Sequence, residues 1–279
     1  MNGKLYIVAT PIGNLEDITL RALRILKEVD LIACEDTRVT KKLLSRYQIQ
    51  KPLTSYHEHN EKEKAEELAA LLELGENIAL VSDAGTPGVS DPGYRLVSLA
   101  AEKGIEVISI PGATATVAAL SVSGLPTSSF AYFGFLPKSD KKRKEFLKSI
   151  REHRETLIFY ESPSRVLETL ESIFETLRDR RISASRELTK MFEETLRGKV
   201  SSVIEILRGR KEIKGEFTIV VEGMGDNDKG GCSETIEEQL RIYKDMGFSL
   251  KDAVKETSTN SRVSKSRIYK EALRIWEKT

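Results

Sequence analysis

Cysteine is nearly absent from this chain: Cys34 and Cys232 are the only two among 279 residues. Two thiols so far apart build no disulfide framework and no Cys-x-x-Cys metal spacing, and a reducing cytoplasm is the expected compartment. Histidine occurs three times. His57-Glu58-His59 would place two rings on one face of a strand, yet a zinc site takes three or four ligands and no third lies nearby. No metal is therefore expected, and hydrogen bonding is the reading for Tyr56, His57 and Asn60. No apolar run approaches the roughly 20 residues of a membrane-spanning helix, so no membrane contact is expected. With a strand predicted as early as Leu5–Ala9, no signal peptide is expected. Neither sign of charge dominates, since 44 Lys and Arg against 43 Asp and Glu leave a formal net charge of +1. That balance argues against a generic polycationic nucleic-acid coat. Neither G-x-G-x-x-G nor G-x-x-x-x-G-K-[ST] occurs, which removes the main support for dinucleotide and P-loop readings.

The charge that is present is unevenly placed. Lys138 to Arg154 holds eight Lys or Arg against three Asp or Glu, and Lys251 to Thr279 holds eight against four. Two basic segments on a neutral chain fit either a directed polyanion site or two solvated helix faces.

Short β-rich runs alternate with helical periodicity through the first half. Strands are predicted at Leu5–Ala9, Leu31–Glu35, Leu53–Tyr56, Ile78–Ser82 and Val107–Ile110. Helices are predicted at Thr19–Val29, Thr37–Tyr47, Asn60–Leu74, Gly93–Lys103 and Ala113–Ser123. Uninterrupted apolar strands between helices indicate a mostly parallel sheet covered on both faces. After Gly124-Leu125-Pro126 the pattern restarts. Strands are predicted at Phe130–Phe133, Thr156–Tyr160, Ile182–Ser185 and Phe217–Val221, with a further pair around Phe192–Arg197 and helices over 140–152, 163–178 and 199–209. Gly223–Gly231 reads as a linker. Helices at Glu234–Met246, Leu250–Thr257 and Lys265–Glu277 follow. The expected fold is α/β, with αβα domains over 1–124 and 125–223 and a linker with a small helical basic tail over 224–279.

Three strand ends carry the candidate chemistry. The first, Ala9-Thr10-Pro11-Ile12-Gly13-Asn14, turns from strand to helix at the sheet's carboxyl edge, where open α/β sheets bind ligands. The second, Ser82 to Gly93, holds three glycines, two prolines and two aspartates in 12 residues. Glycine lets backbone approach a ligand and proline fixes the loop, while Asp83 supplies an acceptor for a ligand amine or hydroxyl. The third, Ile110-Pro111-Gly112-Ala113-Thr114-Ala115, offers small side chains suited to a flat adenosine-like group. Three loops from one sheet edge predict one shared cleft.

The segments LYIVATPIGNLEDIT, ACEDTR, SYHEHN, LVSDAGTPGVSDPG, PGATA, FGFLP, FYESPSR, RELTK and GEFTIVVEG occur in that order. Together they resemble the ribosomal RNA small-subunit methyltransferase I family, cytidine 2′-O-methyltransferases of the tetrapyrrole methylase superfamily, from about Leu5 to Gly223. SDAGTP with SDPG, and EDTR, are the specific elements. Ser164 stands where family members commonly carry histidine, so any role of that histidine does not transfer. The resemblance implies two αβα domains, S-adenosylmethionine in the cleft between them, and a homodimer acting on 16S rRNA, within the small ribosomal subunit. It places Pro11, Ile12, Gly13, Asp83, Ala84, Gly85, Thr86, Ala113, Thr114 and Ala115 near that cofactor. From the second domain it adds Tyr160 and Ser185.

A ribose 2′-hydroxyl is a poor acid, so a base or cation should help remove its proton. Glu35, Asp36 and Arg38, then Glu187 and Lys190, are the candidates. The first three fit an ion-paired anchor equally well. Lys190 serves as base only if burial or neighbouring cations lower its pKa; otherwise it holds a phosphate. Tyr47, Tyr94 and Tyr132 are read as packing residues. Phe133 and Phe135, beside Lys138, Lys141, Lys142 and Arg143, are placed to meet RNA. The tail has the look of a helix-turn-helix displaying Lys265, Arg267 and Lys270, or of a helical cap. Two other readings stand beside the RNA methyltransferase: a small-molecule methyltransferase of tetrapyrrole type, and a non-enzymatic nucleic-acid-binding regulator. Replacing Asp83 by alanine is expected to weaken donor binding and spare the fold.

Overall fold

A computed structural model describes residues 2–225, 236–245, 248–260 and 265–276. The expected linker beyond residue 225, and Cys232 with it, lies outside the described residues. The chain divides into two compact units, Met1–Gly223 and Met224–Thr279.

The first unit contains two sheets. The first sheet runs in the order β3-β2-β4-β1-β5, from strands β1 (Lys4–Val8), β2 (Leu31–Cys34), β3 (Leu53–Ser55), β4 (Ile78–Val81) and β5 (Glu106–Ile110). Every neighbouring pair is parallel. Side chains alternate between faces along a strand, and here each face meets helices. Val8, Ile32, Cys34, Ala79 and Val81 pack with Ile25 and Leu26 of α1 (Leu20–Glu28) and Leu44 of α2 (Thr37–Arg46). Leu5, Ala33, Ile78 and Leu80 pack with Leu68 and Leu72 of α3 (Glu61–Glu73) and Leu96 and Ala100 of α4 (Tyr94–Glu102). The Thr19 hydroxyl caps α1 by accepting the Ala22 N–H at 3.0 Å, one of the donors a helix start leaves unpaired.

The second sheet is mixed, in the order β6-β7-β10-β8-β9. Its strands are β6 (Phe130–Phe135), β7 (Thr156–Glu161), β8 (Arg181–Arg186), β9 (Glu194–Lys199) and β10 (Phe217–Val221). Only β6 and β7 run parallel; β10 pairs antiparallel with both β7 and β8, and β8 with β9. The pair expected around Phe192–Arg197 is the single strand β9. Leu157, Phe159, Ile182, Ala184 and Ile219 face α6 (Asp140–Ser149), α7 (Val166–Leu177) and α8 (Val200–Arg208). On the opposite face Ile158 and Val220 meet Ala119 and Leu120 of α5 (Ala115–Val122), the helix that follows β5. Helix α5 thus joins the two sheets.

The tail unit has its own core. Leu240 of α9 (Ile236–Asp245), Ala253 and Val254 of α10 (Leu250–Asn260), and Ile268 and Ala272 of α11 (Lys265–Trp276) are all buried together. No helix among the described residues is long and apolar enough to cross a membrane.

Candidate functional site

Strands β4, β1 and β5 are adjacent and parallel, so their following loops emerge side by side at the carboxyl edge. The loops are tied to one another. Thr10 and Gly85 exchange backbone hydrogen bonds, Thr10 N to Gly85 O at 2.9 Å and Gly85 N to Thr10 O at 3.1 Å. Gly85 does this at φ +85°, a left-handed conformation that a side chain disfavours. The Thr10 hydroxyl donates to Ser82 O at 3.0 Å, and Thr86 Oγ1 lies 3.5 Å from Ala113 O.

The second sheet turns its own edge toward these loops. The antiparallel register sets Phe217 opposite Glu161 and Thr218 opposite Tyr160, so the end of β7 and the start of β10 form one surface. The Tyr160 hydroxyl hydrogen-bonds Thr116 of α5 at 2.8 Å. A register shift between Tyr132 and Phe135, a bulge of the kind that re-aims a side chain, leaves Phe135 60% exposed against the Tyr160 ring. Between the two surfaces lies a cavity of about 460 Å³, within the range of about 300–1,000 Å³ typical of small-ligand sites. Ile12, Ala84, Gly85, Thr86, Thr114 and Ala115 line it from the first sheet, and Phe135, Tyr160, Glu187 and Lys190 from the second.

Close packing holds the two rims together. A methyl on Gly13 would lie 2.4 Å from Lys190 Cγ, so only glycine lets the first loop rest on the lysine stem. Next to it the Asn14 N–H donates to Thr189 Oγ1 at 3.1 Å. Ser90 and Glu187, which line the cavity, and Thr189 beside it adopt positive φ of 66°, 52° and 67°.

Four acidic residues line the cavity: Asp91, Glu161, Glu187 and Glu216. Lys190 Nζ donates to Glu187 at 2.8 Å and to Glu216 at 3.0 Å. Burial works to lower the Lys190 pKa, but the hydrogen bonds and charges of Glu187 and Glu216 outweigh it and leave it raised. Lys190 is therefore an ammonium at neutral pH, and the base reading offered for it gives way to that of a cation. Its hydrogen bond holds the Glu187 carboxyl below the usual range. Glu161 is 1% exposed and accepts from the Ser162 N–H at 2.8 Å and the Thr169 hydroxyl at 2.6 Å, with Arg165 at 3.4 Å. Asp91 has no ion pair among the described residues.

Glu35, Asp36, Arg38 and Asp83 do not line the cavity. Asp36 caps α2, accepting the Arg38 N–H at 2.8 Å, and pairs with the Arg38 guanidinium at 2.6 Å. That hydrogen bonding draws its carboxyl down to about 2. Asp83 accepts the Asp36 N–H at 3.1 Å, which ties the ends of β2 and β4 together. The structure thus gives Asp83 a cross-linking part in place of the cleft acceptor the sequence suggested, and the EDTR segment the geometry of an ion-paired anchor. Pro11, Gly13, Ala113 and Ser185 are also outside the lining; Ser185 is fully buried and hydrogen-bonds Thr195 across the β8–β9 pair at 3.1 Å.

Other expectations divide. Lys138, Lys141 and Lys142 are exposed, but Arg143 is only 2% exposed. Residues 143, 147 and 150 fall on the inward side of α6 and its end, so the helix phase carries this arginine into the fold, away from solvent. Phe133 likewise packs inward, stacked on Phe159 and edge-on to Phe146, with ring centroids 5.7 and 5.5 Å away. Tyr94, read as a packing residue, is 77% exposed. Tyr56 and Asn60 do hydrogen-bond within the fold, Tyr56 OH accepting the Leu96 N–H at 3.3 Å and Asn60 Oδ1 the His57 N–H at 2.8 Å. In the tail, Lys265, Arg267 and Lys270 are exposed on α11. The lining residues missed from sequence are chiefly Ser90, Asp91, Glu161, Ser162 and Glu216. All five fall in the segments SDPG, ESPS and GEFT, whose order was visible while their pairing was not.

A family model described as tetrapyrrole (corrin/porphyrin) methylases matches residues 4–204. The chain is 49% identical over 271 residues to the ribosomal RNA small subunit methyltransferase I of Halalkalibacterium halodurans, covering 96% of this chain and 93% of that one. It is 50% identical over 221 residues to the protein of the same name from Thermotoga maritima, covering 79% of this chain and 99% of that relative. Among solved structures it is similar to the uroporphyrin-III C-methyl transferase of Thermus thermophilus complexed with S-adenyl homocysteine, with TM-score 0.55 and 19% identity over 78% of this chain and 97% of that one. That likeness bears on the fold alone. The chain belongs to the ribosomal RNA small subunit methyltransferase I family, within the tetrapyrrole methylases.

Proposed function

We propose that this chain transfers the methyl group of S-adenosylmethionine to the ribose 2′-hydroxyl of a cytidine in 16S rRNA. The observation that carries this reading is 49% identity along 96% of the chain to a relative named for methylation of small-subunit ribosomal RNA. The cavity fits the donor chemically. Its first-sheet side offers small residues and loop backbone for a flat nucleoside, from Ala84 to Thr86 and at Thr114 and Ala115. Its second-sheet side offers carboxylates able to balance a sulfonium and an amine. When bound, the donor supplies an activated methyl whose leaving group departs as a neutral thioether. What the chain must add is alignment, exclusion of water and removal of the hydroxyl proton.

RNA would reach the cavity past Phe135, whose exposed ring suits base stacking, with Lys138, Lys141 and Lys142 on phosphates. The tail supports the same substrate: a self-contained helical unit with Lys265, Arg267 and Lys270 exposed fits phosphate contact without sequence reading. We place the enzyme in the cytoplasm as a homodimer acting within the small ribosomal subunit, with lobes 1–124 and 125–223 and a basic tail from 224. The test is transfer of labelled methyl to 30S particles, protein-free 16S rRNA and a uroporphyrinoid, with 2′-O-methylation read as resistance of the linkage to alkali. Label in a cytidine ribose is the expected result. Label in the uroporphyrinoid alone would replace this reading with the small-molecule one, and donor binding without transfer would point to a regulator.

A further inference from the structure

We propose that Asp91 is the group that takes the proton from the acceptor hydroxyl, an assignment that rests on the methyl-transfer reading above. Of the four acidic residues lining the cavity, Glu187 and Glu216 share one cation, Lys190 Nζ, at 2.8 and 3.0 Å. Glu161 is committed to Ser162, Thr169 and Arg165. Each of these already accepts strong donors, so its oxygens are engaged within the protein. Asp91 lines the same cavity with no ion pair among the described residues.

Its surroundings hold it there and tune it. Asp91 directly follows Ser90, whose backbone is left-handed at φ 66° and whose hydroxyl hydrogen-bonds Tyr132 OH of β6. Among the described residues, the titratable groups that interact with Asp91 are Glu35 after β2, Asp83 after β4 and Tyr132 on β6. None is a cation. Burial pushes the Asp91 carboxyl above the ordinary aspartate range, and the Asp83 carboxylate adds to it. A carboxylate moved toward neutrality while still ionised there is a better general base than an ordinary aspartate. In the proposed step the 2′-oxygen forms its bond to the methyl carbon as the carbon–sulfur bond breaks. That electron pair stays on sulfur. The hydroxyl proton passes to an Asp91 carboxylate oxygen and from there to water, so atoms and charge balance.

The sign of the pH dependence follows. Asp91 accepts the proton only when ionised, so the rate falls as pH drops through its raised pKa. The experiment uses the full chain with donor and 30S particles in single-turnover assays across pH, for wild type, Asp91→Asn and Asp91→Glu. It is joined by calorimetry with S-adenosylhomocysteine and by carboxyl carbon NMR of the labelled aspartates. Expected are an acid limb in the wild type, an Asp91 resonance titrating above the ordinary aspartate range, and a loss of about 10²–10⁴-fold in Asp91→Asn. The residual rate of that variant should lack the limb, while S-adenosylhomocysteine binding is unchanged. Asp91→Glu should keep an acid limb with a displaced midpoint, which tests the assignment even if Asp91→Asn fails to fold. Wild-type rate in Asp91→Asn, or slow transfer that keeps the same acid limb, would overturn the assignment alone. So would weaker S-adenosylhomocysteine binding at undiminished turnover, which would make Asp91 a donor contact. No methyl transfer by the wild type would overturn the underlying reading and the assignment with it.

Discussion

Replacing Arg143 by alanine should lower the thermal stability of the first unit and leave RNA binding as it was. The side chain is 2% exposed. Its Nε donates to Ser172 Oγ at 2.9 Å, Nη1 to Lys138 O at 3.3 Å and Nη2 to Asp140 Oδ1 at 3.0 Å. Three hydrogen bonds at about 0.5–1.5 kcal/mol each, with burial of the aliphatic stem, set the upper end of the cost. The lower end comes from what the partners do afterwards. Ser172 keeps its bond to Glu168 O at 2.8 Å, and the Asp140 side chain, 60% exposed, takes up water. No buried charge is stranded, so the loss is about 2–4 kcal/mol, below that of a broken buried ion pair. For a domain of this size that is roughly 4–16 °C in melting temperature. The assay is a thermal melt beside RNA binding measured across salt. An unchanged melt with weaker RNA binding and a salt slope reduced by about 0.7–0.9 would refute the reasoning and return Arg143 to the phosphate-contacting surface. Lys141→Ala with Lys142→Ala is the reverse control, weakening RNA binding with little change in the melt.

Gly13→Ala puts a methyl 2.4 Å from Lys190 Cγ and so prises apart the two rims. Because Gly13 is exposed, the fold should tolerate it, while methyl transfer falls about 100-fold, the scale of an ångström-sized misplacement; full activity would show the rims to be uncoupled. Lys190→Met should destabilise most at neutral pH. Glu187, with its pKa lowered, contributes stability above the ordinary glutamate value that is lost as pH falls through its folded value. Lys190, with its pKa raised, contributes below the ordinary lysine value and loses it as pH rises through its folded value. The difference in melting temperature between wild type and variant should therefore close at both extremes, and a difference that persists in acid would count against the pairing.

The first sheet and its loops were legible because the signals are local. Apolar runs such as Ile78–Val81 mark strands buried on both faces, and glycine and proline at three strand ends mark ligand loops. Parallel strands send all those loops to one edge, so their meeting followed from the pattern. The second sheet was less legible, since β10 pairs antiparallel with β7 at a separation of more than fifty residues, as in Thr218 against Tyr160. That register sets Phe217 opposite Glu161 and so brings the GEFT and ESPS segments to one cavity, and no local pattern encodes it. Arg143 is a different failure. Its charge drew the RNA reading, yet Leu147 and Ile150, four and seven positions on, already marked the inward face of the helix.

The strained backbone around the cavity has the same long-range origin. Left-handed non-glycine residues each cost about 1–3 kcal/mol and persist only where surrounding contacts over-determine them. Ser90, from the first sheet's loop, is held by Tyr132 of the second sheet. Thr189, from the second sheet's loop, receives the Asn14 N–H of the first sheet's loop, while its own N–H goes to Glu193 at 2.7 Å. Glu187 donates its N–H to Glu216 O at 3.0 Å while its carboxylate takes Lys190. Two of these three strained positions are thus fixed across the boundary between the sheets, so neither rim has reason to keep its shape when the other is absent. Contacts between the sheets thus hold both rims of the cavity at the seam joined by α5, and separating the sheets would remove them.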